Sequence, residues 1–139
     1  MELPITSESI FCEVNNNEIQ AFANKFVVPN DPLSTAKEIY KFVRDKIDYD
    51  DSYSNTKKGA YKTLEDKKGN CCDQAHLLVA LLRAVGIPTY YAHGTNHWWA
   101  VPCLDKQYHC DPTNKKHQFG IPQHGGKHPK VQLYNSLDH

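Results

Sequence analysis

"KKGNCCDQAHLLVALLRAVGIP", residues 67–88, places two adjacent cysteines at the mouth of a long apolar run. Asn70 is a good helix cap, and Asp73 lies three residues later, in the first turn, where negative charge suits the helix dipole. Leu77, Leu78, Val79, Leu81, Leu82 and Val85 leave little polar surface, so the helix is expected to be enclosed on most sides. Gly86 stops it, with Pro88 just beyond. Cys71 and Cys72 are then two packing residues, half of a metal site, or a nucleophile and its neighbour. Position favours the last reading for Cys71, because unpaired N–H groups at a helix start stabilise the thiolate, the nucleophilic form.

Downstream of Pro88 the apolar period changes from 3.6 to 2. "TYYAHGT", "HWWAVPCL" and "QYHCDP" read as three strands, the last two joined by a tight turn near Asp105 and Lys106. Pro102 points to a strand edge or bulge. If those two strands form a hairpin, His97 at the start of one and Asp111 at the end of the other stand at the same end. A thiol nucleophile needs an imidazole to take and return its proton, and a third polar group to orient the ring. Cys71, His97 and Asp111 are therefore the candidate catalytic residues. Trp98 and Trp99 must point to opposite faces of their strand, one to the core and one to the floor of a substrate cleft.

Upstream, Ile19, Phe22, Ala23 and Phe26 predict a helix over residues 17–28. Thr35 and Glu38 read as a capping box, followed by Ile39, Tyr40, Val43 and Ile47 at helical spacing. "DYDDSYSNTKK", residues 48–58, is a polar loop before the nucleophile, so Tyr49, Tyr53 and Asn55 are candidates to face substrate. A short helical turn is expected near Ala60 to Leu64. The backbone N–H of Cys71 is the natural first oxyanion donor, with Asn55 and Asn70 as candidates for the second. "VQLY" near the C-terminus can add one more strand. The layout is α+β: helices first, then an antiparallel sheet around one central buried helix.

Composition narrows the function. The 139 residues suit a single domain, and a formal net charge of zero supplies no field for a polyanion, so nucleic acid is not an expected partner. The longest apolar run, Leu77 to Ile87, is broken by Arg83 and too short for a bilayer span. "MELPITSESI" lacks the basic start and apolar stretch of a signal peptide. Five cysteines, at positions 12, 71, 72, 103 and 110, cannot all pair within one chain, and no C-x2-C knuckle marks a zinc site. Cys103 and Cys110 lie across the expected hairpin, as a disulfide or as two thiols in contact. The remaining histidines carry no motif, and His76 reads as a helix-packing residue.

These motifs together resemble the transglutaminase-like branch of the papain-type cysteine enzymes. The resemblance lies in Gly-x-Cys-x-Asp-x-Ala-x-Leu over Gly69 to Leu77, the apolar helix ending Arg-Ala-x-Gly-Ile-Pro, then His-x-Trp and Asp-Pro-Thr. It covers about residues 33–113. Its register, counted from Gly69 and from Ala75, puts the nucleophile at Cys71 and leaves Cys72 at a variable position. Asp73 falls at an acidic position that supports the helix start, while His97 and Asp111 carry over as base and orienting acid.

"YSNTKKGAYKTLEDKKGNCCDQAHLLVALLRA" is similar, more narrowly, to the catalytic domains of pseudomurein endoisopeptidases of methanogenic archaea and their viruses. That resemblance implies a papain-like, transglutaminase-like core with the cysteine on a central helix packed against a sheet carrying His and Asp. The expected organisation is an N-terminal helical segment (1–32), the family core (33–113) and a tail (114–139). The implied activity is hydrolysis of an amide or isopeptide bond in the peptide cross-links of pseudomurein, through a thioester. Tyr53, Asn55, Asn70, Trp98 and Trp99 would serve the substrate. No cofactor or metal is required by this chemistry, although a bound divalent cation stays open. The expectation is a monomer without membrane insertion, made in the cytoplasm and acting on the wall after release or within a larger protein. A protein-crosslinking transglutaminase and a non-catalytic wall-binding module are the rival functions.

Overall fold

A computed structural model of the chain describes residues 6–121 and 131–137. In chain order its elements are α1 (Asn17–Asn24), α2 (Pro32–Lys46), β1 (Asp48–Tyr49), α3 (Gly59–Asp66), β2 (Lys68–Gly69), α4 (Cys71–Ala84), β3 (Thr89–Gly94), β4 (His97–Pro102) and β5 (Gln132–Tyr134). The fold is the expected α+β arrangement. α4 runs through the middle, with α1, α2 and α3 packed around it and the β3–β4 hairpin on a further side. Thirteen of its 14 residues are buried, which makes this helix the core rather than a wall of it. Each of its leucines contributes about 1.5–3 kcal/mol by leaving water.

Both ends of α4 form as the sequence predicts. The Asn70 side chain accepts from the Asp73 N–H at 3.0 Å. At the other end Gly86 takes φ +83°, the left-handed conformation that glycine adopts without a Cβ penalty. Arg83 is buried there, and its guanidinium donates to Ser7 O, Thr89 O and Asn135 O. One cation thus ties the N-terminal segment, β3 and the chain after β5 to the end of the helix.

The other helices correct the expected boundaries. α1 stops at Asn24 rather than residue 28, with Asn16 as its cap. α2 begins at Pro32, capped by Asp31 through the Ser34 N–H. The capping box read at Thr35 and Glu38 does not form, because Thr35 is already inside the helix and its hydroxyl engages Val28 N and Asp31 O. Proline suits the first turn, where no N–H is needed. α3 extends two residues past the predicted turn at its C-terminal end.

The antiparallel sheet has the order β4-β3-β5, so the expected strand at "VQLY" is present. "QYHCDP" does not become a third ladder strand. It meets β4 only at bridges, Ala100 with Cys110 and Cys103 with Gln107. Pro102 has no N–H to donate, and the Cys103 N–H bonds Pro88 O at 2.8 Å, so a continuous ladder cannot run past Val101. β1 and β2 form a separate two-residue parallel pair that registers Tyr49 against Gly69. All five cysteines are free thiols, Cys103 and Cys110 included. Among the described residues no group of three or more metal-ligating side chains assembles, and no helix is long and apolar enough to cross a membrane. His124, His128 and His139 lie outside the described residues.

Candidate active site

Cys71 is the first residue of α4, set there by a crowded approach. A Cβ on Gly69 would stand 3.0 Å from Asp73 Cβ and 3.2 Å from Thr63 Cγ2, so only glycine lets β2 turn into the helix at this point. His97 opens β4 after the tight Thr95–Asn96 turn, in which Asn96 has φ +53°. The Ala100–Cys110 bridge, closed by N–H···O bonds of 3.2 and 2.8 Å, lays the segment ending at Asp111 beside β4. The His97 Nε2 and Asp111 Oδ2 atoms are 2.7 Å apart. The other Asp111 oxygen accepts from Thr113 N and Oγ1, and its backbone carbonyl accepts from the Tyr40 hydroxyl. Thus the carboxylate cannot swing away from the ring.

The other side of the His97 ring meets the Cys71 sulfur, which also accepts from the Trp98 backbone N–H. With Nε2 committed to Asp111, Nδ1 is the nitrogen that faces sulfur. The electrostatics follow from these contacts. A hydrogen bond from Cys72 holds the Cys71 thiol well below the ordinary thiol range; burial opposes this, and the His97 ring reinforces it. Burial works against charge on His97, yet its bonds to Asp111 and Cys71 outweigh that and lift its pKa to about 9. Burial likewise opposes ionisation of Asp111, and the His97 partner overcomes it and lowers the carboxyl. At neutral pH the favoured state is a Cys71 thiolate beside a His97 imidazolium, a pair that titrates jointly.

Cys72 moves the opposite way. Its bond to Cys71, then its burial, raise it out of the titrating range, so the adjacent thiols are pushed into different protonation states. Such divergence between neighbouring groups is how a site divides acid and base roles.

The loop before α4 is held in place by Asp73. Its fully buried carboxylate accepts from the N–H groups of Lys57, Lys58 and Gly59 and from the Tyr53 hydroxyl at 2.6 Å. Asn70 Nδ2 donates to Asn55 O and Tyr53 O. The result is a cleft of about 340 Å³ above the sulfur, lined by Tyr49, Tyr53, Ser54, Asn55, Asn70, Cys71, Cys72, His93, Asn96 and Trp98. A larger hollow of about 410 Å³ between α1 and α3 holds no thiol or imidazole, so volume alone would misplace the chemistry.

Of the residues singled out from sequence, the structure brings Cys71, His97 and Asp111 together and sets Tyr53, Asn55, Asn70 and Trp98 along the cleft. Trp99 is a correction. It does not line the cleft: it is 1% exposed on the face opposite Trp98, packed with Ala92 and Val101 and 5.8 Å from the His97 ring, and its Nε1 donates to His109 Nδ1 at 2.9 Å. Asn70 is also poorly suited to donate to an oxyanion, since its oxygen caps α4 and its nitrogen anchors the loop. A residue beside Cys71 that could take this role is Tyr49, which lines the same cleft and whose phenol is itself pushed up by burial and by the neighbouring thiol. The signal for it was its pairing partner: a short strand opposite Gly69 ends two residues from the nucleophile.

Comparisons with known proteins place the family and the fold. The family model described as the transglutaminase-like superfamily matches residues 20–117, wider than the 33–113 stretch that carries the motifs. An uncharacterized protein of Mycobacterium leprae is 27% identical over 115 residues, covering 71% of this chain and 41% of its own length. A crystal structure of a provisionally assigned cysteine protease from Cytophaga hutchinsonii superposes with a TM-score of 0.66 at 21% identity, over 78% of this chain and 40% of that one. The chain therefore spans about two fifths of the length of the proteins it matches.

Proposed function

The chain belongs to the transglutaminase-like superfamily, and from that premise we propose that it is a cysteine peptidase acting through a thioester, with Cys71 as nucleophile, His97 as acid–base and Asp111 as orienting acid. One observation carries this reading: an imidazole bridges the Cys71 sulfur and the Asp111 carboxylate, at 2.7 Å on the carboxylate side. The thiolate attacks an amide carbonyl placed in the cleft. Negative charge grows on the carbonyl oxygen, which lies toward the N–H of Cys71. Tyr49, which lines the cleft beside Cys71, turns its O–H to the oxygen as the second donor. His97 gives its proton to the departing amine, the C–N bond breaks, and the acyl group stays on sulfur. Water then attacks the thioester, losing a proton to His97, and the acid leaves as the thiolate is restored.

The substrate proposed is the peptide cross-link of pseudomurein, cut at an amide or isopeptide bond. Its support is the sequence resemblance around residues 53–84 and a cleft lined mainly by neutral polar and aromatic groups, suited to a peptide backbone. A wall substrate reached after release, or within a larger protein, fits this proposal. Two assays test it. Brief treatment with a small excess of iodoacetamide at pH 6 should give one fast adduct, mapped to Cys71, lost in Cys71→Ala and slowed in His97→Ala. Uniformly slow labelling would put the wall-binding module first. Product mass from a pseudomurein peptide should show gain of water; two chains joined with loss of ammonia would instead identify a transglutaminase.

A further inference from the structure

Beyond the 33–113 stretch that carries the motifs, the chain turns back over the C-terminal end of α2 as a strap, residues 113–120. Lys115 Nζ donates to the Arg44 and Asp45 carbonyls, both at 3.2 Å, in the last turn of that helix, where a cation suits the dipole. Arg44 Nη1 in turn donates to His117 O at 3.1 Å, and the His117 N–H closes a turn on Asn114 O at 3.0 Å. Farther along, the Phe119 ring packs against Tyr40 and Tyr108, at centroid distances of 5.8 and 5.2 Å. Gly120, at φ +73°, lies so close to Tyr108 that a Cβ would stand 2.7 Å from its ring. The strap is thus fixed on both sides of His117.

Those anchors aim one imidazole at the orienting acid. His117 Nδ1 lies 3.2 Å from Asp111 O and 3.5 Å from Asp111 Oδ2. Both atoms are acceptors, so Nδ1 is the nitrogen that carries the proton. The shorter contact is the hydrogen bond, and the longer one sets the positive end of that N–H beside the oxygen that His97 Nε2 binds. The bonds from Thr113 N and Oγ1 fix the Asp111 carboxylate relative to its own backbone. Holding that backbone is the work of other elements: Tyr40 of α2 donates to Asp111 O at 3.0 Å, and His117 of the strap takes the second lone pair. One bond would leave the carbonyl a pivot; two from different elements do not. Asp111 is 3% exposed and the His117 side chain 17%, so little water reaches the contact.

We propose that His117 is a positioning residue of the Cys71–His97–Asp111 site: its Nδ1–H, delivered by the strap, holds Asp111 in place against the His97 ring. This rests on the peptidase reading and adds a second imidazole to it, one that does not line the cleft. The segment after Thr113 then belongs to the catalytic apparatus, through the acid rather than through the substrate. Other charged or titratable groups surround Asp111: Tyr40 and Arg44 of α2, Cys110 beside it in the chain, Lys115 of the strap, and His97 of β4 with Cys71 across its ring. Of these only Lys115 is altered in the variants below, as a control.

The test is the titration midpoint of the His97 ring, read by NMR from its Cε1–H signal on the full chain and assigned by its absence in His97→Asn. His117→Ala should lower that midpoint by about half a unit, a threefold shift between charged and neutral ring, because a looser carboxylate supports the imidazolium less. His117→Asn sets an amide N–H near the place of Nδ1–H and should recover most of the shift. Lys115→Ala, at a side chain 57% exposed, loosens the strap but keeps the imidazole, and should move the midpoint by less than His117→Ala. His117→Phe, a ring without the N–H, replaces His117→Ala under the same criteria should the latter fail to fold. An unmoved midpoint overturns the proposal, and so does a rise, which would make His117 a competitor for Oδ2 instead of a support. Equal shifts in His117→Ala and His117→Asn, or in His117→Ala and Lys115→Ala, overturn it too, since strap packing alone would then explain them. A wild-type Cys71 no faster than the other thiols toward iodoacetamide at pH 6 would sink the peptidase reading and this inference together. A fast Cys71 with an unmoved His97 midpoint in His117→Ala sinks only the inference.

Discussion

The two ends of α4 handle buried polarity in opposite ways. At the C-terminal end Arg83, 3% exposed, is surrounded by carbonyl oxygens of Ser7, Thr89 and Asn135. Carbonyls do not titrate, and the one thiol against the guanidinium, Cys12, is pushed up by burial, so that end keeps a single state and serves as a clasp. At the N-terminal end Cys71 faces an imidazole that itself titrates, with open volume above the sulfur. Asp73, two residues on, behaves like Arg83: its carboxylate is filled by backbone N–H groups and one tyrosine hydroxyl. Full satisfaction by fixed partners gives rigidity. Reactivity needs an ionised group left partly unfilled and a partner able to change its proton count.

That contrast is sharpest at the acid behind the imidazole. Asp111→Asn keeps the shape but favours the wrong tautomer of His97, and kcat should fall by about 10⁴ with little change in melting temperature. An unchanged kcat would mean the pair is structural, like the clasp. Asp73→Ala should do the reverse to the fold, leaving three N–H groups without their acceptor. We expect a loss of about 3 kcal/mol, read by urea unfolding. If stability holds, the loop is secured by something other than this carboxylate.

Tyr49→Phe removes the proposed second oxyanion donor and should lower kcat by about 10², leaving the alkylation rate at Cys71 much closer to wild type. Equal losses in both assays would place the tyrosine on the nucleophile instead of the transition state. The mildest effect concerns pH. The His97 pKa is raised, to about 9, so its protonated form persists through neutrality and is lost as pH climbs through that value. Cys71 is lowered, so its thiolate is lost only when pH falls well into the acid range. Turnover should form a plateau across neutral pH with an alkaline limb near 9, a tenfold fall per unit beyond it, while alkylation, which needs only the thiolate, should not fall there. A limb near 6.5 would show that His97 lacks its two partners.

Much of this site was legible before any coordinates. The cap at Asn70 put Cys71 at the start of the helix by local rules of capping, and the register of the family resemblance, counted from Gly69 and Ala75, made it the proposed nucleophile. The 14-residue step from His97 to Asp111 was readable because a hairpin turns sequence distance into spatial adjacency, and that holds even though the expected third strand reduces to bridges. The two tryptophans were legible as opposite faces, but alternation cannot say which face is the cleft; packing of Trp99 against Ala92 and Val101 settles it. The boundaries of α1 and α2 were missed where two capping signals competed within a few residues.

The sequence by itself determined the fold class, the central helix and the placing of Cys71 at its start with His97 and Asp111 at one end of the hairpin, since each rests on periodicity, capping or strand pairing between near neighbours. Only the tertiary structure decided what surrounds the sulfur. Tyr49 reaches the cleft beside Cys71 through a two-residue parallel pairing with no periodic signature. The polar contacts of Thr56 with His76, His76 with Tyr91 and Arg83 with Cys12 join α4, β3 and two loops. Their order in space depends on which donors and acceptors packing leaves facing one another. No local rule of sequence carries that information.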